Sequence, residues 1–72
     1  QELAVHCPAK LLQSVPEEKR EGLLEVLEQD PRRAGSKHEP ERTYHLAYAG
    51  FDVAFTVDGA DLHVQDIEPI IA

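Results

Sequence analysis

Cysteine, long apolar runs and positive charge are what this sequence is short of. Cys7 is its one cysteine, so no internal disulfide can form and no cysteine cluster exists for a structural zinc. A chain of 72 residues without such staples depends on one compact core, because so small a domain buries only about 60% of its unfolded surface. Residues 1–72 therefore read as a single domain, with no room for a second core. The apolar runs are too short for a membrane span or a signal peptide, and a reduced cytoplasm is the simplest setting for a lone thiol. Seven lysines and arginines face fourteen acidic side chains, a net charge of −7. Nucleic-acid affinity rests largely on cationic side chains that neutralise phosphates, so this balance argues against nucleic acid as a partner. It suits a basic protein partner, or simply solubility.

What the sequence does have is a stretch of strict alternation from Thr43 to Ile67. Tyr44, Leu46 and Tyr48, then Phe51, Val53, Phe55 and Val57, then Leu62 and Val64 fall at every second position. That is the pattern of strands with one buried face. A two-residue loop at Ala49-Gly50 sets Tyr48 opposite Phe51, Leu46 opposite Val53 and Tyr44 opposite Phe55, apolar on apolar throughout. For the second turn, a loop at Gly59-Ala60 pairs Phe55 with Val64, and one at Asp58-Gly59 pairs it with Leu62. Both keep the apolar face intact, and either gives an antiparallel three-stranded meander.

Ahead of the meander, Leu3 to Val5 forms a short apolar run that suits a strand, ended by Cys7-Pro8. Pro8 to Ser14 is long enough for about two helical turns, with Leu11 and Leu12 inward. A second helix is expected from Pro16 to about Gln29, with Glu17 and Glu18 at the positive end of its dipole. Its apolar face carries Leu23, Leu24, Val26 and Leu27. Asp30-Pro31 stops it, since the residue before proline avoids the helical region. Pro31 to Arg42 has no periodicity and collects Arg32, Arg33, Lys37 and Arg42, more than half of the basic residues. A solvated connector is the plain account of it; a basic loop beside the sheet is the functional one. The fold class is α+β: a short N-terminal strand, a helical hairpin, and a meander packed on the helices.

This order resembles the RelE/ParE toxin superfamily of toxin–antitoxin systems. The resemblance runs through LAVHCPA, VPEEKREGLLEVLEQDPRR and YHLAYAGFDVAFTVDGADLHVQDIEP, nearly the whole chain. It implies a second helix ending at "DP" before a basic loop, and a sheet reading Tyr-Arg-x-Arg-x-Gly-Tyr-Arg-Val-x-Tyr. Members that cut messenger RNA keep basic residues on the open sheet face. Here those positions are His45, Ala47 and Asp52, and the usual basic cluster ending the last strand is Asp66-Ile67-Glu68-Pro69. Such a face cannot stabilise a developing phosphorane charge. The resemblance thus implies a degenerate member that acts by binding a protein, an antitoxin-like segment or a target, without cleaving RNA and without cofactor or metal.

Alternation places His45, Ala47, Asp52, Ala54, Thr56, His63, Gln65 and Ile67 on the outward face. His45, Asp52, Thr56, His63 and Gln65, with Arg32 and Arg33 of the connector, are the expected partner-binding residues. The competing enzymatic account uses His45 and His63 as acid and base of a small ribonuclease, since imidazole titrates near neutrality. A metal centre is disfavoured because those histidines belong to strands separated by the central one. A third account is a structural subunit that self-associates through an edge strand, Thr43–Ala49 or Leu62–Ile67. Cys7 beside His6 reads as a small core or edge residue, because strand neighbours point to opposite faces.

Overall fold

The computed structural model describes residues 2–32 and 41–70. Its elements are β1 (Ala4–His6), α1 (Ala9–Leu12), α2 (Glu17–Glu28), β2 (Tyr44–Tyr48), β3 (Phe51–Asp58) and β4 (Asp61–Pro69). The protein is thus α+β, with a mixed four-stranded sheet in the order β1-β4-β3-β2. Pro16 precedes α2 with φ −51° and ψ 138°, so the helix begins one residue later than its sequence suggests, with Glu17 and Glu18 in its first turn. The helix ends as Asp30 turns left-handed at φ 59°. The Asp30 carboxylate holds Arg32 bidentately, with both N···O distances 2.7 Å, which fixes the chain's exit from the helix. Arg33, Lys37 and His38, and with them most of the expected basic loop, lie outside the described residues.

The meander has the register that its alternation dictates. β2 pairs with β3 through Tyr44↔Phe55, Leu46↔Val53 and Tyr48↔Phe51. Ala49 and Gly50 both have positive φ, 50° and 83°, the signature of a type I′ turn whose twist matches that of the strands. The second turn is at Gly59-Ala60, between Asp58↔Asp61, with Phe55 opposite Val64. Gly59 takes φ 63° there.

Two features depart from the sequence reading. The short N-terminal strand runs parallel to β4, with Val5 opposite Leu62 and His6 opposite His63. β1 therefore covers Asp61–His63 of β4, so Leu62 and His63 are no longer at an edge, while from Val64 onward no strand among the described residues pairs with β4 on that side. A β-bulge also interrupts the β3–β4 ladder at Ala54/Phe55: Ala54 faces Asp66 while Phe55 faces Val64, so Gln65 is the inserted residue. An extra residue inverts the alternation beyond it. Ile67, expected outward, consequently faces Val53 and is buried.

The core joins Leu3 and Val15 to Leu23 and Leu27 of α2 and to Val53, Phe55, Val57, Leu62, Val64 and Ile67 of the sheet. Leu11 and Leu12 pack against it from α1, as expected. Leu24 and Val26 are only half-buried, so α2 presents a narrower stripe than the four-residue face read from sequence. Tyr48 ties the helix to the far strand by donating its hydroxyl to the Lys19 carbonyl at 3.1 Å.

Candidate functional site

The outward sheet face divides into two polar clusters. On the β2 side, His45 and Asp52 sit diagonally across the first hairpin and bond through Nδ1 and Oδ2 at 3.2 Å, both well exposed. Asp52 pairs in register with Glu68, whose neighbour on the same side is Asp66. A hydrogen bond that the protonated Glu68 carboxyl donates to Asp66, and then the charge of Asp66, push the Glu68 carboxyl above its ordinary range. This corner is acidic, with Asp52, Asp66 and Glu68 side by side on β3 and β4.

On the β1 side, the parallel pairing brings His6 beside His63, with ring centroids 4.8 Å apart and planes within 16°. His6 Nε2 lies 3.0 Å from Asp61 Oδ1. Between the clusters, the Gln65 amide donates to Thr56 Oγ1 at 3.1 Å. A shallow, open groove runs between β1 and β4, lined by His6, Cys7, His63 and Gln65. Burial pushes the Cys7 thiol above its usual range, which works against nucleophilic use of it at neutral pH. His6 is the residue that sequence reasoning missed. Nothing in a three-residue strand specifies its partner, so its contact with His63 was not legible.

His45 and His63 do not meet. They lie on β2 and β4, with β3 between them, and each has a different neighbour, Asp52 for one and His6 for the other. Adjacent strands lie about 4.8 Å apart, so no single proton could be passed from one imidazole to the other without a bridging group. Among the described residues, no group of three or more histidine, cysteine or acidic side chains is placed to hold a metal ion. No helix among them is long and apolar enough to cross a membrane.

Away from the sheet face, Arg32 and Arg42 lie over the Tyr44 ring, 5.8 and 5.4 Å from its centroid. Tyr44 itself stacks on Phe55 at 5.7 Å. Arg32 is almost fully covered and committed to Asp30, with 7% of its side chain exposed, so it is a structural cation and not a free contact. Arg33 lies outside the described residues.

Residues 1–70 match the family model described as "TrmO C-terminal domain". The chain belongs to that family. It is a tRNA methyltransferase-associated family, and the match overturns the RelE/ParE resemblance together with the toxin–antitoxin role drawn from it. The shared order of strand, helices and meander is an architecture, and architectures recur without a shared function. The residues that would have carried the toxin chemistry were the ones missing: Asp52, His45 and Ala47 stand at the cationic positions. Among curated proteins and among solved structures, none matches the chain.

Proposed function

We propose that this TrmO C-terminal domain is an accessory unit of a tRNA-modifying methyltransferase, working through protein contact while the methyl transfer and most of the grip on tRNA reside elsewhere in the enzyme. Residues 1–72 form one folding unit on this account. The observation that carries it is the pairing of family membership with an acidic outward face. A tRNA-modifying assembly needs cationic surface to hold its substrate, yet this chain has a net charge of −7 and the Asp52–Asp66–Glu68 corner on its open sheet. Its histidines are split between two exposed clusters, an arrangement that supports surface contact better than a desolvated acid–base pair. His45, Asp52, Thr56, His63 and Gln65 are the contact residues of that face.

The test uses the methyltransferase that contains this domain. Single-turnover methyl transfer is expected to survive His45→Ala and His63→Ala within about threefold, a loss far below the roughly 10²–10⁴-fold worth of a general acid or base. The 72-residue chain alone is expected to leave tRNA unbound at micromolar concentration in 0.15 M salt. A hundredfold loss in either variant, or tight and steeply salt-dependent tRNA binding by the chain, would overturn the proposal.

A further inference from the structure

We infer that the outer edge of β2 pairs antiparallel with β2 of a second copy of this chain, extending the sheet across a two-fold axis. The strand order leaves β1 and β2 at the edges, and β4 is also uncovered on the β1 side beyond His63, where the bulge at Gln65 and Asp66, Glu68 and Pro69 blunt it. β1 has three residues and runs into Cys7-Pro8, which makes it a poor template. β2 has five, Tyr44–Tyr48. It holds none of the devices that usually blunt an edge: no lysine, no acidic residue, no proline and no bulge.

Hairpin geometry decides which backbone groups face that edge. A two-residue turn makes Tyr48 and Phe51 a hydrogen-bonded pair, and alternation extends this to Leu46 with Val53 and Tyr44 with Phe55. The N–H and C=O groups of His45 and Ala47 therefore point away from β3.

A strand added there must repeat the period-two pattern, with its apolar side chains on the helix side. β2 itself meets that requirement. Tyr44, Leu46 and Tyr48 are each only half-buried within one chain, so apolar area remains along this stripe. With the axis through Leu46, Tyr44 lies opposite Tyr48 of the second copy, and His45 bonds in the ladder with Ala47. On the other face, each His45 then shares a transverse row with Asp52 of the second copy, about two strand spacings or roughly 10 Å away, while keeping its own Asp52 at 3.2 Å. The two copies thus bring opposite charges into each row when His45 is protonated. A β2–β2 contact lets two chains of net charge −7 approach through a strand that carries no acidic side chain.

Sedimentation equilibrium of the 72-residue chain over a concentration series tests this directly. A reversible monomer–dimer equilibrium is expected. Amide hydrogen exchange at His45 and Ala47 should slow at least tenfold between dilute and concentrated samples, while Leu46, already paired with β3, is unchanged. Ala47→Pro removes an N–H that the β2–β3 ladder does not use, so it should weaken the dimer at least tenfold with the far-UV circular dichroism retained. A monomer at every concentration overturns the inference. So does a dimer in which the His45 and Ala47 amides exchange as in the monomer, and this measurement decides the matter unaided if Ala47→Pro fails to fold.

Discussion

Gly22 and Tyr48 should be coupled, and the coupling has a calculable sign. Gly22 sits in the interior of α2, where alanine is ordinarily better by about 0.8–1 kcal/mol. A Cβ built there would overlap Tyr48 Oη, whereas the ring's Cζ stays at an ordinary 3.5 Å. The same hydroxyl donates to the Lys19 carbonyl, a neutral bond worth about 0.5–1.5 kcal/mol net. Gly22→Ala therefore gains helix propensity but expels the hydroxyl, and the two terms nearly cancel. Tyr48→Phe alone should cost about 0.5–1.5 kcal/mol. In the Tyr48→Phe background the obstruction is gone, so Gly22→Ala should stabilise by nearly the full propensity term, about 1 kcal/mol. The interaction energy of the cycle is then about 1 kcal/mol, and in a chain this small 1 kcal/mol corresponds to about 4–8 °C in Tm. Urea titration of the four proteins by circular dichroism measures it. If Gly22→Ala stabilises the parent and the Tyr48→Phe variant equally, the packing of α2 against the end of β2 has been misread.

Three further outcomes follow from single features. Ile67→Ala should cost about 2–4 kcal/mol in urea unfolding, because the bulge turns Ile67 into the core at 5% exposure, while Ile70→Ala, at 52%, should stay within about 0.5 kcal/mol; equal effects would return Ile67 to the outer face. Ala49→Asn should raise Tm by several degrees, since alanine at φ 50° is strained where Asn-Gly is the favoured type I′ pair; a lower Tm would show that the turn is not of that type. Burial raises the Cys7 thiol, and a raised folded-state value means that its stabilising contribution is complete below the ordinary thiol range and is lost as pH rises through the raised value. Disulfide exchange with a small aromatic disulfide at pH 8 should thus be slower in the folded chain than in urea, and Cys7→Ala should flatten the alkaline fall in stability. A thiol that reacts equally fast in both states would contradict this.

The meander was legible because two independent signals agreed. Alternation fixed the inward residues of β2 and β3, and the Ala49-Gly50 turn set the same register that the structure has. The place where reading failed is equally physical. A bulge adds one residue without any local signature, and Gln65 looks like any polar strand residue, so Ile67 was assigned to the wrong face. The partner of β1 was not legible either: three residues carry too little pattern to choose between an edge and a slot beside β4. Val15 shows another limit. Read only as the residue before a helix-starting proline, it is 1% exposed and belongs to the core that joins α2 to the sheet. The half-burial of Leu24 and Val26 shows the reverse error, an apolar face taken as wider than the sheet beneath it.

The family error and the site reading are linked. Element order and hydrophobic period report packing, and they are satisfied by any family that lays two helices on a meander. Chemistry is reported by the outward residues, which packing leaves free to vary. In this chain those residues had already opposed the toxin assignment, with Asp52 and His45 bonded to each other where cationic side chains would have been needed. The same logic bears on the accessory proposal. An acidic corner at Asp52, Asp66 and Glu68 repels a phosphate backbone, so the accessory proposal has this face directed away from the nucleic acid. Replacing those three carboxylates by their amides should therefore leave tRNA affinity of the intact methyltransferase within about twofold at 0.15 M salt, where screening reaches only about 8 Å. A gain of tenfold or more would mean that the acidic face lies against the RNA, and would make electrostatic restraint of tRNA binding, not protein contact, the role of this domain.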